Sequence, residues 1–249
     1  MTKLKLPRII GHRGCAAYAP ENTLEAIHTA ADMGVKWVEL DVKLTKDQVP
    51  VIFHDDTLER TTNGHGPVAE ITYEDLKQLD AGSWFTESFG GCGVPTLEQA
   101  VDVLLEYDMG LNLEIKPCPG REVETAEAAL DILSQIWDDH RKLLISSFSF
   151  ESMEVAQDMA QDWARGFLLP SEWPQQWQEM AGSLDVSTFN IDGNSVTRHE
   201  LEELIALGKP ILAYTINDPE QCRQLQRWGV YGFFTDAPDV IEDSILQVH

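Results

Sequence analysis

The feature that most constrains this chain is a rhythm: short runs rich in Ile, Val and Leu alternate with amphipathic stretches nearly throughout. Short apolar, β-branched runs read as buried strands, and strands alternating with helical patterns build parallel sheets. The predicted strands are Arg8–His12, Lys36–Val42, Leu111–Lys116, Leu143–Ser147, Arg165–Leu169, Ser187–Ile191, Ile211–Ile216 and Tyr231–Thr235. A helix is predicted from about Asn22 to Met33, with Asn22 as its N-cap and Glu25 at the capping-box spacing. Further helices are predicted over Glu122–Asp138, Phe150–Gln161, Trp173–Ala181, Thr197–Leu207, Pro219–Trp228 and Pro238–Gln247. Pro219 and Pro238 stand at helix starts, where the missing N–H is tolerated. Eight strand-and-crossover units predict an α/β fold, a (β/α)8 TIM barrel, with a doubly wound open sheet as the alternative because strand count does not prove closure. The 249 residues contain no internal repeat, low-complexity tract or Pro/Gly/Ser-rich linker, so a single domain over 1–249 is expected.

The interval between the second and third strands breaks the rhythm. From Asp41 the chain reads as a strand that runs on, turns near Lys46–Gln48 and returns, which brings His54 back to the level of Asp41. A polar, Gly-containing segment with one short helix (Tyr73–Leu79) follows, expected as a small insertion over the barrel mouth, with residues 56–110 as insertion and connecting segment.

Barrel enzymes place their sites at the C-terminal ends of the strands, and residues two apart on a strand share a face. Glu39 and Asp41 share one face of the second strand; Asn112, Glu114 and Lys116 share one face of the third. With the aliphatic residues turned to the helices, Glu39, Asp41, Glu114 and Lys116 point inward near the rim. Converging carboxylates repel one another and raise their own pKa values unless a cation joins them. An all-oxygen set favours a hard ion, Mg²⁺ or Ca²⁺. The competing reading has these acids in salt bridges with Lys116 and Arg13.

The first strand ends in Gly11-His12-Arg13-Gly14, whose glycines let the backbone turn and present both side chains at the mouth. His12 and His54, each beside the acid cluster, suit a proton acceptor and a proton donor. With a cation on a phosphoryl oxygen, and Arg13 and Lys116 on the remaining charge, the set fits phosphoryl transfer. His28, His140, His199 and His249 read as structural or solvated, and so does His65 in the Asn63-Gly-His-Gly66 loop.

The charge balance narrows the partners. With 42 acidic residues against 18 Lys and Arg, the net charge is −24, which repels nucleic acid and anionic membranes and leaves a small molecule as the expected partner. No apolar run reaches the length of a membrane span, and the start shows no secretory h-region. Cys15, Cys92, Cys118 and Cys222 lack ligand spacing and read as reduced thiols, so a cytoplasmic setting is expected.

These segments resemble a family. Gly11-His12-Arg13-Gly14, Pro20-Glu21-Asn22-Thr23, Glu39-Leu-Asp41-Val42, His54-Asp55, Leu58-Glu-Arg60-Thr-Thr62, Glu114-Ile-Lys116, Tyr214-Thr-Ile-Asn217 and Thr235-Asp236-Ala-Pro238 occur in the order seen in glycerophosphodiester phosphodiesterases, and the cytoplasmic bacterial form is similar. The resemblance runs from the first strand to the last helix. It implies a barrel with an insertion after the second strand, and hydrolysis of glycerophosphodiesters to sn-glycerol 3-phosphate and an alcohol. It further implies Glu39, Asp41 and Glu114 as cation ligands, His12 as acid and His54 as base, and Arg13 and Lys116 on the phosphate. Tyr214 stands where many relatives carry Trp; an aromatic there packs against glycerol or walls the barrel. Trp84 and Phe85 either shape the entrance or hold the insertion on. A lysophospholipid-directed relative and a non-catalytic metabolite-binding barrel are the alternatives, and the oligomeric state is left open.

Overall fold

In the computed structural model, which describes residues 4–245, the first strand pairs with two neighbours at once, and that double pairing decides the architecture. Strand β1 (Ile9–Gly11) pairs in parallel with β2 (Trp37–Leu44) through Gly11 and Val38, and with β9 (Gly232–Thr235) through Ile9 and Phe233. Between them run β4 (Gly110–Ile115), β5 (Leu143–Ser147), β6 (Ala164–Leu169), β7 (Thr188–Asp192) and β8 (Ile211–Tyr214), each parallel to the next. The sheet closes on itself as an eight-stranded parallel barrel. An open doubly wound sheet is excluded, because no edge is left between β1 and β2.

Strand β3 (Pro50–Ile52) is the predicted return. It pairs antiparallel with the upper half of β2, Val42 opposite Ile52. The Phe53 amide donates to Asp41 O at 2.9 Å, which sets His54 one residue past the level of Asp41, on the Leu40 side.

The outer ring consists of α1 (Leu24–Asp32), α3 (Leu97–Glu106), α4 (Glu122–Ile136), α5 (Phe150–Met159), α6 (Trp177–Ser183), α7 (Arg198–Ala206), α8 (Pro219–Arg227) and α9 (Pro238–Ile245). Val38, Leu40 and Val42 of β2, with Leu111, Leu113 and Ile115 of β4, pack against Leu97, Val101, Leu104 and Leu130 of the helices. A second cluster around Phe167, Phe189, Ile191, Leu201 and Phe233 does the same on the other side. Inside, Ile10, Trp37, Leu144, Leu212 and Phe234 plug the barrel. Trp37 lies across Gly110, where any Cβ would meet the indole at 2.2 Å. No helix among the described residues is long and apolar enough to cross a membrane.

Three predicted boundaries differ, and one helix was not predicted. The N-cap of α1 is Thr23, whose Oγ1 accepts from the Ala26 amide at 3.2 Å; Asn22 lies one residue too early and in the left-handed region, φ 58°. Helix α6 begins at Trp177 rather than Trp173, because Pro174 removes a donor and disfavours helical geometry at the residue before it. Helix α3 is the unpredicted one, although Thr96 and Gln99 form a full capping box. The insertion helix α2 is short, Tyr73–Leu76. The predicted end of the last helix at Gln247, and His249, lie outside the described residues.

The insertion has a small core of its own. Leu58, Val68, Leu76, Ala81 and Val94 pack on Val51 and Phe53 at the β3 end. Trp84 hydrogen-bonds Ala81 O at 2.8 Å and stacks edge-on with Phe85, which in turn meets Phe89. These rings hold the insertion together and do not line the cavity at the barrel mouth.

Candidate active site

The cavity at the C-terminal ends of the strands, about 170 Å³, is lined by His12, Arg13, Glu39, His54, Glu114, Lys116 and Tyr214 among others. Seven of the eight predicted site residues thus share one wall, and the eighth, Asp41, touches two of them: Arg13 Nε at 3.4 Å and Lys116 Nζ at 3.8 Å.

Glu39 and Asp41 face inward on β2, and Glu114 joins them from β4, where it pairs in register with Asp41. Each offers an oxygen, and these oxygens lie within 4.8 Å of one another. Burial, then the charges of Asp41 and Glu114, raise Glu39 well above the ordinary carboxylate range. Burial and the Asp41 charge raise Glu114 as well. Burial pushes Asp41 up too, but Arg13, Lys116 and His54 outweigh it and hold this acid low. Glu39 Oε1 has no hydrogen-bond partner among the described residues although it is buried. An orphaned buried carboxylate oxygen, in an all-oxygen cluster that cannot ionise fully alone, fits a hard divalent cation.

The two histidines are supported alike. His12 follows β1, where its amide donates to Thr235 O at 2.8 Å. Its Nδ1 meets Asp236 Oδ1 at 2.7 Å, and its Nε2 lies 3.9 Å from Glu39 Oε2. Asp236 is in turn held by Asn217, whose Nδ2 donates to Oδ2 at 2.6 Å. His54 Nδ1 meets Asp55 Oδ1 at 2.6 Å, and Arg60 grips both oxygens of Asp55. A carboxylate against Nδ1 favours the proton on that nitrogen and leaves the ring's lone pair on Nε2. Burial lowers the His54 pKa below that of a free imidazole, against the opposing pull of Asp41. The hydrogen bond from Arg60 keeps Asp55 ionised far below the usual range.

Local backbone chemistry sets Arg13. It sits at φ 50° between Gly11 and Gly14, and its amide donates to Glu39 Oε2 at 3.0 Å. A Cβ on Gly11 would lie 2.0 Å from Gly14 O, so only glycine permits this turn. Lys116 Nζ reaches Glu114 Oε1 at 2.8 Å and lies 5.5 Å from the Phe148 ring centre. The Tyr214 hydroxyl donates to Leu169 O at 2.7 Å, and its ring stands edge-on to Phe148, so this residue contributes a wall.

Several further residues support the site through contacts that the sequence does not reveal. Asn22 donates Nδ2 to Asp41 Oδ2 at 2.8 Å and accepts from the Asp41 amide at 3.2 Å. Glu21, Asp55, Arg60, Asn217 and Asp236 had appeared only as motif members. Their presence beside His12 and His54 in those motifs was the available signal; their contacts were not. His65 is exposed, as expected.

Fold and mouth together define a phosphodiesterase-class barrel enzyme. The chain belongs to the glycerophosphoryl diester phosphodiesterase family, which matches residues 12–240. A glycerophosphodiester phosphodiesterase of Caldanaerobacter subterraneus is 34% identical over 241 residues, covering 94% of this chain and 95% of the relative. Among solved structures, an Oleispira antarctica phosphodiesterase in complex with the product sn-glycerol-3-phosphate superposes with a TM-score of 0.93 and 41% identity, over 97% of this chain and 98% of that one. A glycerophosphodiester phosphodiesterase of Agrobacterium tumefaciens gives 0.76 and 28%, over 96% and 100%.

Proposed function

We propose that this protein hydrolyses glycerophosphodiesters to sn-glycerol 3-phosphate and an alcohol, with a divalent cation, Mg²⁺ or Ca²⁺, on Glu39, Asp41 and Glu114. The observation that carries the reading is the buried acid cluster with its orphaned Glu39 oxygen, flanked by two histidines that each rest on an aspartate. The product bound by the Oleispira antarctica relative supports the choice of substrate.

Arg13 and Lys116 bring positive charge to the phosphate, and the Tyr214 ring walls the substrate side. When bound, the cation neutralises charge on a non-bridging phosphate oxygen. His54, kept neutral by burial, takes the proton of the attacking hydroxyl, which is water or the neighbouring glycerol hydroxyl. His12, whose Nδ1 rests on Asp236, gives its proton to the leaving alkoxide as the phosphorus–oxygen bond breaks. The whole chain, 1–249, works as one domain. Four buried free thiols accord with a cytoplasmic setting.

The test is release of sn-glycerol 3-phosphate from glycerophosphocholine and glycerophosphoethanolamine by metal-stripped protein, before and after adding Mg²⁺ or Ca²⁺. Cation-dependent release that a chelator abolishes is expected. Absence of release with every cation, from folded protein, overturns the reading.

A further inference from the structure

The floor of the cavity carries polar groups that the reaction above does not use. Asn112 on β4, Ser146 on β5 and Asn190 on β7 line it and are buried to within 1% of complete enclosure. Asn112 Nδ2 donates to Ser146 Oγ at 2.9 Å, and Thr188 Oγ1 donates to Asn190 Oδ1 at 2.9 Å. The other end of each amide, Asn112 Oδ1 and Asn190 Nδ2, has no partner among the described residues. Turning either amide over exchanges which atom is left out, because each hydroxyl can serve only one end. Buried amide atoms left unpaired are unfavourable, and a ligand that completes their bonds gains what the empty floor lacks.

The missing partners have a definite chemistry. A hydroxyl can donate to one free amide end and accept from the other kind, whereas a phosphate or carboxylate can only accept. Leu168 and Phe234 line the same cavity and offer apolar surface to a short carbon chain. Small aliphatic carbons bearing hydroxyls match both walls. Gly166 on β6 leaves the space in which the Asn190 amide sits: a Cβ there would lie 2.8 Å from Asn190 Nδ2 and 3.0 Å from Thr188 Oγ1.

We propose that Asn112 and Asn190 read the hydroxyls of the glycerol half of the substrate, and so make the site selective for a polyol phosphate over a plain alkyl phosphate. This rests on the proposed phosphodiesterase reaction at the same cavity. Phosphate binding falls to the rim, and recognition of the alcohol carbons and hydroxyls falls to the floor.

The experiment is titration calorimetry of the cation-loaded protein with sn-glycerol 3-phosphate and with n-propyl phosphate, which has the same carbons without the hydroxyls. The native protein is expected to bind the glycerol ester the more tightly. Asn112→Leu and Asn190→Leu are each expected to weaken that ester about tenfold, the worth of one hydrogen bond, and to change propyl phosphate less than about threefold. Gly166→Ala, which keeps both amides and only displaces Asn190, is expected to act like Asn190→Leu and guards against a variant that fails to fold. Equal affinity of the native protein for both esters, or equal losses for both in the variants, overturns the proposal. So does unchanged discrimination in Asn190→Leu, which would mean that water alone holds the amides. Loss of turnover on glycerophosphocholine with discrimination intact would instead count against the reaction and leave the floor's role standing.

Discussion

Arg60 and Glu21 face each other as a two-point ion pair, Nη1 to Oε2 and Nη2 to Oε1, both at 2.7 Å. Arg60 also reaches Asp55 through Nε at 2.7 Å and Nη2 at 2.8 Å, while Glu21 takes Arg13 Nη1 at 2.6 Å. A continuous chain of charges therefore joins Arg13 to His54 and ties the insertion to the loop after β1. Arg60→Ala is expected to lower kcat/KM about 10–100-fold, the usual effect of removing a group that orients a functional side chain. Arg60→Lys should recover only part of it, because an ammonium cannot grip two carboxylates in parallel. Steady-state kinetics of both variants decide the point; full activity in Arg60→Ala refutes it.

Replacing the histidines themselves should be more severe. His12→Ala and His54→Ala are each expected to reduce turnover by ~10²–10⁴, the range for a general acid or base. Asp236→Asn, which leaves the ring in place but removes its anionic partner, should fall between the native rate and His12→Ala. Near-native turnover in either alanine variant removes that histidine from the mechanism.

The pH profile follows from the environment of His54. Burial holds its pKa below the ordinary imidazole value, so the neutral form survives to lower pH than usual. The acid limb of kcat/KM is expected below about pH 6.5. The hydrogen bond that His54 donates to Asp55 favours the protonated ring, so Asp55→Asn should move that limb further toward acid and lower the plateau. A limb that shifts toward alkali in this variant would show that another group controls it.

Cation binding should itself depend on pH. Burial and the Asp41 charge raise Glu39 and Glu114, so protons compete with a cation for these carboxylates as the pH falls. Calorimetry in buffers of different ionisation enthalpy is expected to show proton release, with affinity falling from pH 8 to pH 6. Glu39→Gln should abolish cation binding yet raise the melting temperature of the cation-free protein, since it replaces an acid whose charged form burial and Asp41 disfavour. A lower melting temperature contradicts that account of the cluster.

Asn22 supplies a stability test away from the proton-transfer groups. Its left-handed backbone and its two hydrogen bonds to Asp41 explain why the position takes asparagine. Asn22→Ala is expected to destabilise by roughly 2–4 kcal/mol, combining backbone strain with the loss of a bond to a charged group. Asn22→Gly should cost less, because glycine adopts this φ freely. Urea unfolding of the two variants would reveal any reversal of that order.

Periodicity is a local property, and whatever depends on it could be read from the chain. The alternation of Glu39 and Asp41, and of Asn112, Glu114 and Lys116, sets those side chains on inward faces. The hairpin register from Asp41 to His54 followed from counting about a turn. Closure did not follow, because the contact of β1 with both β2 and β9 joins the chain's beginning to its end. Partnership was equally out of reach: Asp236 supports His12 across 224 positions, and no spacing encodes that bond. Asn22 illustrates the limit, since its place before a helix suggested a cap while the folded chain turns its amide to Asp41 instead. The residue types and their faces belong to the sequence, because side-chain direction repeats every second residue along a strand. Which group completes which, and which buried atoms are left for a ligand, was decided only when strands distant in the chain met around one axis.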